Sequence, residues 1–383
     1  MMAAMYQSNF NRQLSIKEKF FKLSFAYILC IVLLALIGTL TLYSAAGGAM
    51  TPWAKNHLMR FVFCFCLMIG LAFVDVKVYL KYSYLAYFFV LLLLICVEVF
   101  GHIGMGAQRW IDLKVFKLQP SELMKISMVL FLAKYFHSST LHQIQTIKGV
   151  IAPFLMALFP AILIAFEPDL GTSLMLLFTA MVIFFAVGVQ VWKFCLGFGG
   201  LLVLAPIAWH FLHDYQKNRV LTFLNPERDP LGSGYHIIQA KIALGSGGVF
   251  GKGFLNGTQS YLNFLPEKHT DFIFTMLCEE FGFVGGVFVI LLNLILIIYG
   301  YLFAYRITSY YGKLVVIGLN TNYFMYVFIN IAMVLGLLPV VGIPLPLVSY
   351  GGTAMLSVMM SFGMILCMDV NHHINLGRQS FND

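Results

Sequence analysis

The chain has 383 residues, of which 60% are hydrophobic and only 10% are charged. Soluble domains carry about 25% charged residues, so the composition excludes a soluble enzyme and indicates a polytopic membrane protein. The formal net charge of +8 would suggest nucleic acid as a partner of a soluble protein, but here basic cytoplasmic loops account for it and we expect no nucleic-acid partner.

Ten apolar segments are long enough to cross a bilayer, which requires about 20 mostly apolar residues. We therefore predict an all-α polytopic membrane protein with about ten transmembrane helices. Residues 24–370 form one integral domain between tails at 1–23 and 371–383, and the first span serves as an uncleaved signal anchor. The predicted spans are 24–46, 58–74, 82–101, 121–137, 150–167, 170–189, 192–212, 282–303, 313–338 and 347–369.

The distribution of lysine and arginine predicts the orientation. With the N-terminus inside, the inner segments hold twelve basic residues and the short outer loops hold four. The positive-inside rule then places both termini in the cytoplasm. Most carboxylates fall at or beyond the outer face, so we expect the chemistry of this protein to be extracytoplasmic.

A long outer loop, about 213–281, separates spans seven and eight. Loops of this length in compact proteins are usually functional or disordered, and this one interleaves glycines with aromatic and basic residues. We predict short helical and re-entrant pieces broken by glycine. Asp271, Thr275 and Glu279 recur at helical spacing, which predicts an amphipathic helix just before span eight.

Residues 265–274 (LPEKHTDFIF) place a carboxylate, a histidine and a lysine beside a predicted span. Ionisable groups are expensive near hydrocarbon and are functional candidates there. Asp271 either caps the helix that follows or acts as an acid or base. In the second reading Glu267, Lys268 and His269 would tune its pKa.

Residues 119–125 (QPSELMK) open span four. Glu122 could simply favour the first turn of the helix. Lys125 lies three residues later on the same helical face, just inside the apolar run. The two can therefore neutralise each other and turn one polar face into the bundle.

Two further outer motifs each have a structural and a functional reading. In residues 167–172 (EPDLGT), Asp169 either caps span six, or Glu167 and Asp169 mark a discontinuous helix whose N-terminus faces an anionic ligand. Arg109, beside Trp110, is either an interfacial anchor or a bidentate ligand for phosphate. The proline- and glycine-rich segments 338–346 and 349–352 are expected to be structural.

Several classes of site are not indicated by the sequence. The seven cysteines lie almost entirely in apolar runs and are interpreted as packing thiols. We predict no metal site, although the sequence leaves open whether a divalent cation, Mg or Mn, takes part. No nucleotide-binding loop, serine elbow or metal-ligand helix is present, so an enzyme of this kind would need an activated substrate.

These motifs, in this order, resemble the SEDS family (shape, elongation, division and sporulation proteins) over about residues 25–370. The elongation branch is closer than the division branch, on the proline-rich segment 339–346, Lys268 and the short N-terminal tail. The motifs that carry the resemblance are 109–111 (RWI), 119–122 (QPSE), 167–172 (EPDLGT), 234–239 (GYHIIQ), 245–248 (GSGG), 266–274 (PEKHTDFIF) and 349–352 (SYGG).

The resemblance implies a peptidoglycan glycosyltransferase at the outer face of the bacterial cytoplasmic (inner) membrane. Such proteins polymerise lipid II, carried on undecaprenyl pyrophosphate, into a nascent glycan strand. Their partners are a class B penicillin-binding protein, which crosslinks the strand, and the membrane proteins of the elongation complex. A donor that carries its own leaving group agrees with the lack of a nucleotide motif.

The resemblance also implies roles for individual residues. Asp271 matches the family's essential aspartate and is predicted to be catalytic. Glu122 and Lys125 match the charged pair that lines the family's central cavity. Arg109 and Lys241 are the candidates for holding the donor's pyrophosphate, although Gln108 stands where relatives often have a basic residue.

Two other readings remain open at the level of the sequence. A lipid II flippase would also have ten spans, broken helices and charges within the membrane, but it would need polar groups on both faces. The inner side is nearly free of carboxylates. A non-catalytic scaffold for the crosslinking enzyme would leave the outer carboxylates unexplained.

Overall fold

The computed structural model describes residues 15–100, 102–104, 107–112, 117–211, 214–228, 233–258 and 267–377. The helices are α1 (Ile16–Phe21), α2 (Phe25–Ala45), α3 (Ala54–Ala72), α4 (Val76–Phe100), α5 (Pro120–Ser138), α6 (Leu141–Gln145), α7 (Ile147–Phe166), α8 (Leu170–Val187), α9 (Val191–Phe211), α10 (Asp214–Leu224), α11 (Ser233–Ser246), α12 (Ile273–Arg306), α13 (Tyr310–Val334) and α14 (Gly352–Val370). The strands are β1 (His102–Gly104), β2 (Ala107–Asp112) and β3 (Lys117–Leu118), and Pro226–Arg228 form a 3-10 turn.

The helical membrane architecture agrees with the prediction. Within the described ranges, ten helices have 18 residues or more, and each overlaps one predicted span. Eight of these are long and apolar enough to cross a membrane, the exceptions being α5 and α9. Helix α5 carries Glu122, Lys125 and Lys134, and the side chains of α9 are only partly described.

Helices α13 and α14 form the centre of the bundle. In each, 78% of the apolar span is buried, against 28% in α3, α4 and α7. The outer helices instead expose large apolar side chains, among them Phe63, Phe89 and Phe159. This is the distribution expected of a bundle whose solvent is hydrocarbon, because lipid-facing positions remain apolar.

A small antiparallel sheet corrects the all-α expectation for the loop between α4 and α5. Strand β2 pairs with β1 on one side and with β3 on the other, with Ile111 opposite Leu118 and Asp112 opposite Lys117. The aromatic and β-branched residues Trp110 and Ile111 favour a strand once partners are available. We call the end of the bundle that carries this sheet and residues 267–272 the sheet end.

Helix α12 is interrupted at Gly282, where the backbone has φ 68° and ψ −166°. A break in a helix releases N–H and C=O groups that must find other partners. Residues 247–253 supply partners for four of them. The bonds are Phe283 N to Gly248 O (2.9 Å), Val284 N to Val249 O (3.1 Å), Lys252 N to Glu279 O (3.0 Å) and Gly253 N to Glu280 O (3.0 Å).

The close approach at this break explains one of the loop glycines in particular. Gly251 has φ +81°, and a Cβ there would collide with the carbonyl oxygen of Glu280. The same packing makes the expected amphipathic helix wrong. Thr275 and Glu279 are fully buried, but so are Phe274 and Met276 on the other face, because loop and helices enclose the first turns of α12.

Candidate functional site

Asp271 lies at the sheet end, immediately before α12. The N-cap of α12 is Phe272, which has no side-chain capping bond, so the carboxylate does not occupy the cap position. The backbone around Asp271 is fixed by Asn330 of α13. Its amide nitrogen Nδ2 donates to the carbonyl oxygens of Asp271 (2.9 Å) and Ile343 (2.7 Å).

The carboxylate of Asp271 is partly buried beside the proline-rich segment. A Cβ on Gly342 would lie 3.4 Å from Asp271 Oδ2, so the glycine leaves the carboxylate uncovered on that side. Burial raises the pKa of Asp271 to about 6, with a further increase from Glu267 that Arg219 opposes. A carboxylate of this pKa is ionised at neutral pH and is a better proton acceptor than an ordinary aspartate.

His269 and Lys268 complete this segment. The ring of His269 stacks on Trp53 with centroids 4.5 Å apart and planes 10° apart, and its carbonyl oxygen accepts from Tyr350 N at 2.9 Å. Burial lowers the pKa of both His269 and Lys268. His269 is therefore neutral at physiological pH, and it holds the segment through stacking rather than through charge.

Glu122 and Lys125 form the ion pair that their spacing predicts. Lys125 Nζ lies 2.8 Å from Glu122 Oε1, with the two side chains 3% and 7% exposed. The other carboxylate oxygen accepts from Ser357 Oγ at 2.5 Å and from the Tyr326 hydroxyl, which itself accepts from Lys125. Every polar atom of the pair is therefore partnered in a dry environment.

The space around this pair is nearly closed. The cavity that Glu122 and Lys125 line measures about 10 Å³, the lower limit for one water molecule. The pair nevertheless lies close to Asp271, because Tyr326 and Asn330 stand on one face of α13, four residues or about 6 Å apart. A substrate reaching both would require the bundle to open at this end.

Arg109 and Asp169 have mainly structural contacts. Arg109 Nε donates to the carbonyl oxygen of Glu167 at 2.8 Å, and Nη2 donates to that of Pro168. Asp169 caps α8 by accepting from Thr172 N at 3.2 Å and from its hydroxyl at 2.9 Å. The capping reading of Asp169 is therefore realised, and the guanidinium of Arg109 anchors the sheet to the α7–α8 break.

Glu167, at this break, is buried with neither carboxylate oxygen hydrogen-bonded to any described residue. Burial raises the pKa of Glu167 to about 8, with Asp169 and Glu98 adding to the increase and Arg109 opposing it. Burial therefore favours the protonated form of Glu167, which can donate a hydrogen bond.

Lys241 is exposed on α11 and lies over the C-terminal end of α13. Its Nζ would be 2.7 Å from a Cβ on Gly336. A cation is favoured at a helix C-terminus, so this placement has a structural explanation. In the contacts of the described residues, Lys241 shares no partner with Arg109. The structure thus brings the predicted site residues together in two groups. Glu122 contacts Lys125, and Arg109 lies with Glu167 and Asp169 at the α7–α8 break. Lys241 belongs to neither group.

Three residues of the site were missed in the sequence: Asn330, Tyr326 and Ser357. Each lies inside an apolar run, and a polar residue at membrane depth is a signal that could have been used. The partner of each is far away in the chain, however, so the contact that each makes could not be predicted from the sequence. Among the described residues, no group of three or more histidines, cysteines, aspartates or glutamates is placed to hold a metal ion.

Comparison with known proteins identifies the family. Residues 18–374 match the family described as cell cycle protein, with the members FtsW, RodA and SpoVE in its name. The peptidoglycan glycosyltransferase MrdB of Escherichia coli K12 is 43% identical over 344 residues, which are 88% of this chain and 91% of MrdB. The chain therefore belongs to the FtsW/RodA/SpoVE family, and the resemblance seen in the motifs is confirmed.

Solved structures agree with this assignment. A chain from a study of a peptidoglycan synthase complex that coordinates polymerization and crosslinking superimposes with a TM-score of 0.79 and 28% identity. The match covers 91% of this chain and 98% of that one. The rod shape determining protein RodA of Thermus thermophilus matches with a TM-score of 0.68 and 25% identity, over 91% of this chain and 96% of RodA.

Proposed function

We propose that this chain is a peptidoglycan glycosyltransferase of the elongation type, which polymerises lipid II at the outer face of the bacterial cytoplasmic membrane. The observation that carries the proposal is Asp271, a partly buried carboxylate with a pKa of about 6 at the mouth of a membrane bundle. The 43% identity to MrdB over most of both chains supports the same activity, and favours the elongation role over the division role of an FtsW-type relative.

In the proposed reaction Asp271 accepts the proton of an acceptor sugar hydroxyl. The hydroxyl oxygen attacks the anomeric carbon of the donor, forming the new glycosidic bond. The bond from that carbon to the pyrophosphate oxygen breaks, and undecaprenyl pyrophosphate leaves with the electron pair. Because the donor carries this leaving group, the step requires no nucleotide, and the apolar tail can remain in the bilayer.

The other site residues take supporting roles in this proposal. Asn330 and His269 hold the Asp271 segment through its backbone and through stacking. The Glu122–Lys125 pair supplies a fixed polar group one helical turn below. Lys241 is exposed, and no described carboxylate contacts it. It is therefore the better candidate for binding the pyrophosphate, with Arg109 contributing from the sheet.

The proposed partner is a class B penicillin-binding protein that crosslinks the strand. The structural match to a peptidoglycan synthase complex supports an assembly of polymerising and crosslinking subunits. The orientation that goes with this proposal places both termini in the cytoplasm and the sheet end outside, as the distribution of basic residues predicts.

Purified protein incubated with fluorescent lipid II, without any other glycosyltransferase, tests the proposal. Glycan ladders that disappear in Asp271→Asn are expected. A lipid II flippase would instead give no ladders and would equilibrate labelled lipid II across liposomes. The predominance of carboxylates at the sheet end favours the polymerase over this alternative.

A further inference from the structure

A second cavity, of about 430 Å³, lies at the sheet end. Neither Asp271 nor the Glu122–Lys125 pair lines it. It is enclosed by the end of α2, the turn that follows it, the loop after α11 and the start of α12. It is lined by Ser44, Ala45, Ala46, Gly47, Pro52, Trp53, Leu255, Gly257, Lys268 and Glu280. Its volume falls in the range of about 300–1,000 Å³ that small-ligand sites occupy.

Glu280 is the unusual group in this cavity. The residue is only 1% exposed, and one carboxylate oxygen accepts from the Ser44 hydroxyl. The other oxygen, Oε2, has no hydrogen-bond partner among the described residues. Buried polar atoms are almost always partnered by protein or water, so an unpartnered oxygen in a roomy cavity indicates a place for a ligand's donor.

One oxygen of the neighbouring carboxylate, that of Glu279, is held by protein donors. Glu279 Oε1 accepts from Lys252 Nζ at 2.7 Å and from the Thr258 hydroxyl at 3.0 Å. Both carboxylates meet over Gly257, where a Cβ would lie 3.2 Å from Glu279 Oε2 and 3.4 Å from Glu280 Oε1. The glycine therefore keeps this wall of the cavity open.

The cavity is continuous with the proposed catalytic segment. Lys268 lines it directly and is three residues before Asp271. Trp53 also lines it, while one face of its ring stacks on His269. A ligand that contacts Lys268 and Trp53 thus contacts the segment that positions Asp271.

The lining selects a class of ligand. Glu280 and Lys268 both line this space, so its wall carries an acidic and a basic side chain, which disfavours both a simple cation and a polyanion such as pyrophosphate. A neutral polyhydroxyl compound offers donors to Glu280 and acceptors to Lys268 at once. Ala45, Ala46, Pro52, Trp53 and Leu255 provide apolar walls for the C–H faces of a pyranose ring.

We propose that this cavity, the Glu280 pocket, is a saccharide subsite that holds one sugar residue of the glycan substrate with its hydroxyl groups against Glu280 and Lys268. The proposal rests on the function proposed above, since it assigns the site to the same polymer. It places the sugar next to the segment that carries Asp271, so that binding there orders the residues that act on the adjacent sugar.

Binding of a lipid-free probe tests the pocket independently of turnover. The probe is the methyl glycoside of N-acetylglucosaminyl-β-1,4-N-acetylmuramic acid, which has neither pyrophosphate nor lipid. Its affinity is measured by saturation-transfer NMR on protein in nanodiscs. Glu280→Gln keeps the volume and replaces one acceptor oxygen with an amide donor. Ala46→Leu fills the cavity and leaves Glu280 unchanged, and Glu227→Gln is a matched change at an exposed residue of the same loop.

We expect the wild-type protein and Glu227→Gln to bind the probe equally, and Glu280→Gln and Ala46→Leu to bind it about tenfold more weakly or worse, as for a lost charged hydrogen bond. Asp271→Asn should bind like wild type. Absence of binding to wild type, or unchanged binding to folded Ala46→Leu, would overturn the subsite. Probe binding by a wild-type protein that makes no glycan would instead refute the proposed function and leave the subsite standing.

Discussion

The Glu122–Lys125 pair is the feature whose energetics can be worked out most fully from the structure. The two side chains lie 2.8 Å apart and are 7% and 3% exposed. At that separation and an effective dielectric constant of about 20, the attraction is about 6 kcal/mol. Most of this offsets the cost of taking both charges out of water, so the net contribution of the intact pair is small.

Removing one partner has a different consequence, because the other charge stays buried. Lys125→Met or Glu122→Gln alone should each cost about 3–5 kcal/mol of the free energy of unfolding. The double variant leaves no uncompensated charge and should cost less than about 4 kcal/mol. The coupling energy in the double-mutant cycle is then at least about 2 kcal/mol.

The assay is unfolding of the purified protein by SDS in mixed micelles, followed by circular dichroism. Lys134→Met, a change of the same type on the same helix, is the control, and we expect it to cost within about 1 kcal/mol. Single-variant costs that add to within about 0.5 kcal/mol of the double-variant cost would refute the reasoning that the pair is buried and direct.

Three further predictions use other parts of the site. Folding raises the pKa of Asp271 from 3.8 to about 6, so it favours the protonated form and stability declines as pH rises through 6. Asp271→Asn should therefore be more stable than wild type at pH 7.5, by at most about 3 kcal/mol, and unfold at a higher temperature. Near pH 4 the two proteins should unfold at the same temperature. Gly251 has a positive φ, and a Cβ there would collide with backbone, so Gly251→Ala should lower the free energy of unfolding by more than about 1–2 kcal/mol. Gly245 has open space where its Cβ would lie, so Gly245→Ala should be nearly neutral in the same thermal unfolding assay. Lys241→Ala should raise the lipid II concentration for half-maximal rate more than Arg109→Lys does, because the amine of Lys241 is exposed and the guanidinium of Arg109 is occupied by carbonyl groups; equal and unchanged values would remove both from the substrate site.

A feature of this protein could be predicted from the sequence when the residues that form it are close together in the chain. The spans were predicted because each is a continuous apolar run, and Glu122 with Lys125 because they are one helical turn apart. Tyr326 and Ser357 complete that site from 204 and 235 residues away, which no local pattern encodes. The sheet that contains Arg109 was missed for the same reason, since β1 and β3 have only three and two residues and exist only through their pairing with β2.

Alternative readings of single residues were decided by contacts of this non-local kind as well. Asp169 proved to be a cap, which the sequence had offered beside a ligand role. Asp271 proved not to be the cap of α12, because the chain enters that helix one residue later, at Phe272. The amphipathic helix expected before span eight failed because the glycine segment folds back over the break at Gly282, covering a face that the local pattern showed as polar.

The central claim is that Asp271 is the base of a lipid II polymerase, and turnover of Asp271→Asn tests it most directly. The variant keeps the shape of the side chain and removes its basicity, so the rate of polymerisation of fluorescent lipid II should fall by about 10²–10⁴-fold. Glu227→Gln, at an exposed residue between α10 and α11, should retain the wild-type rate, and Asp271→Asn should retain its fold by size-exclusion chromatography. Glycan ladders at a near wild-type rate from folded Asp271→Asn would contradict the account.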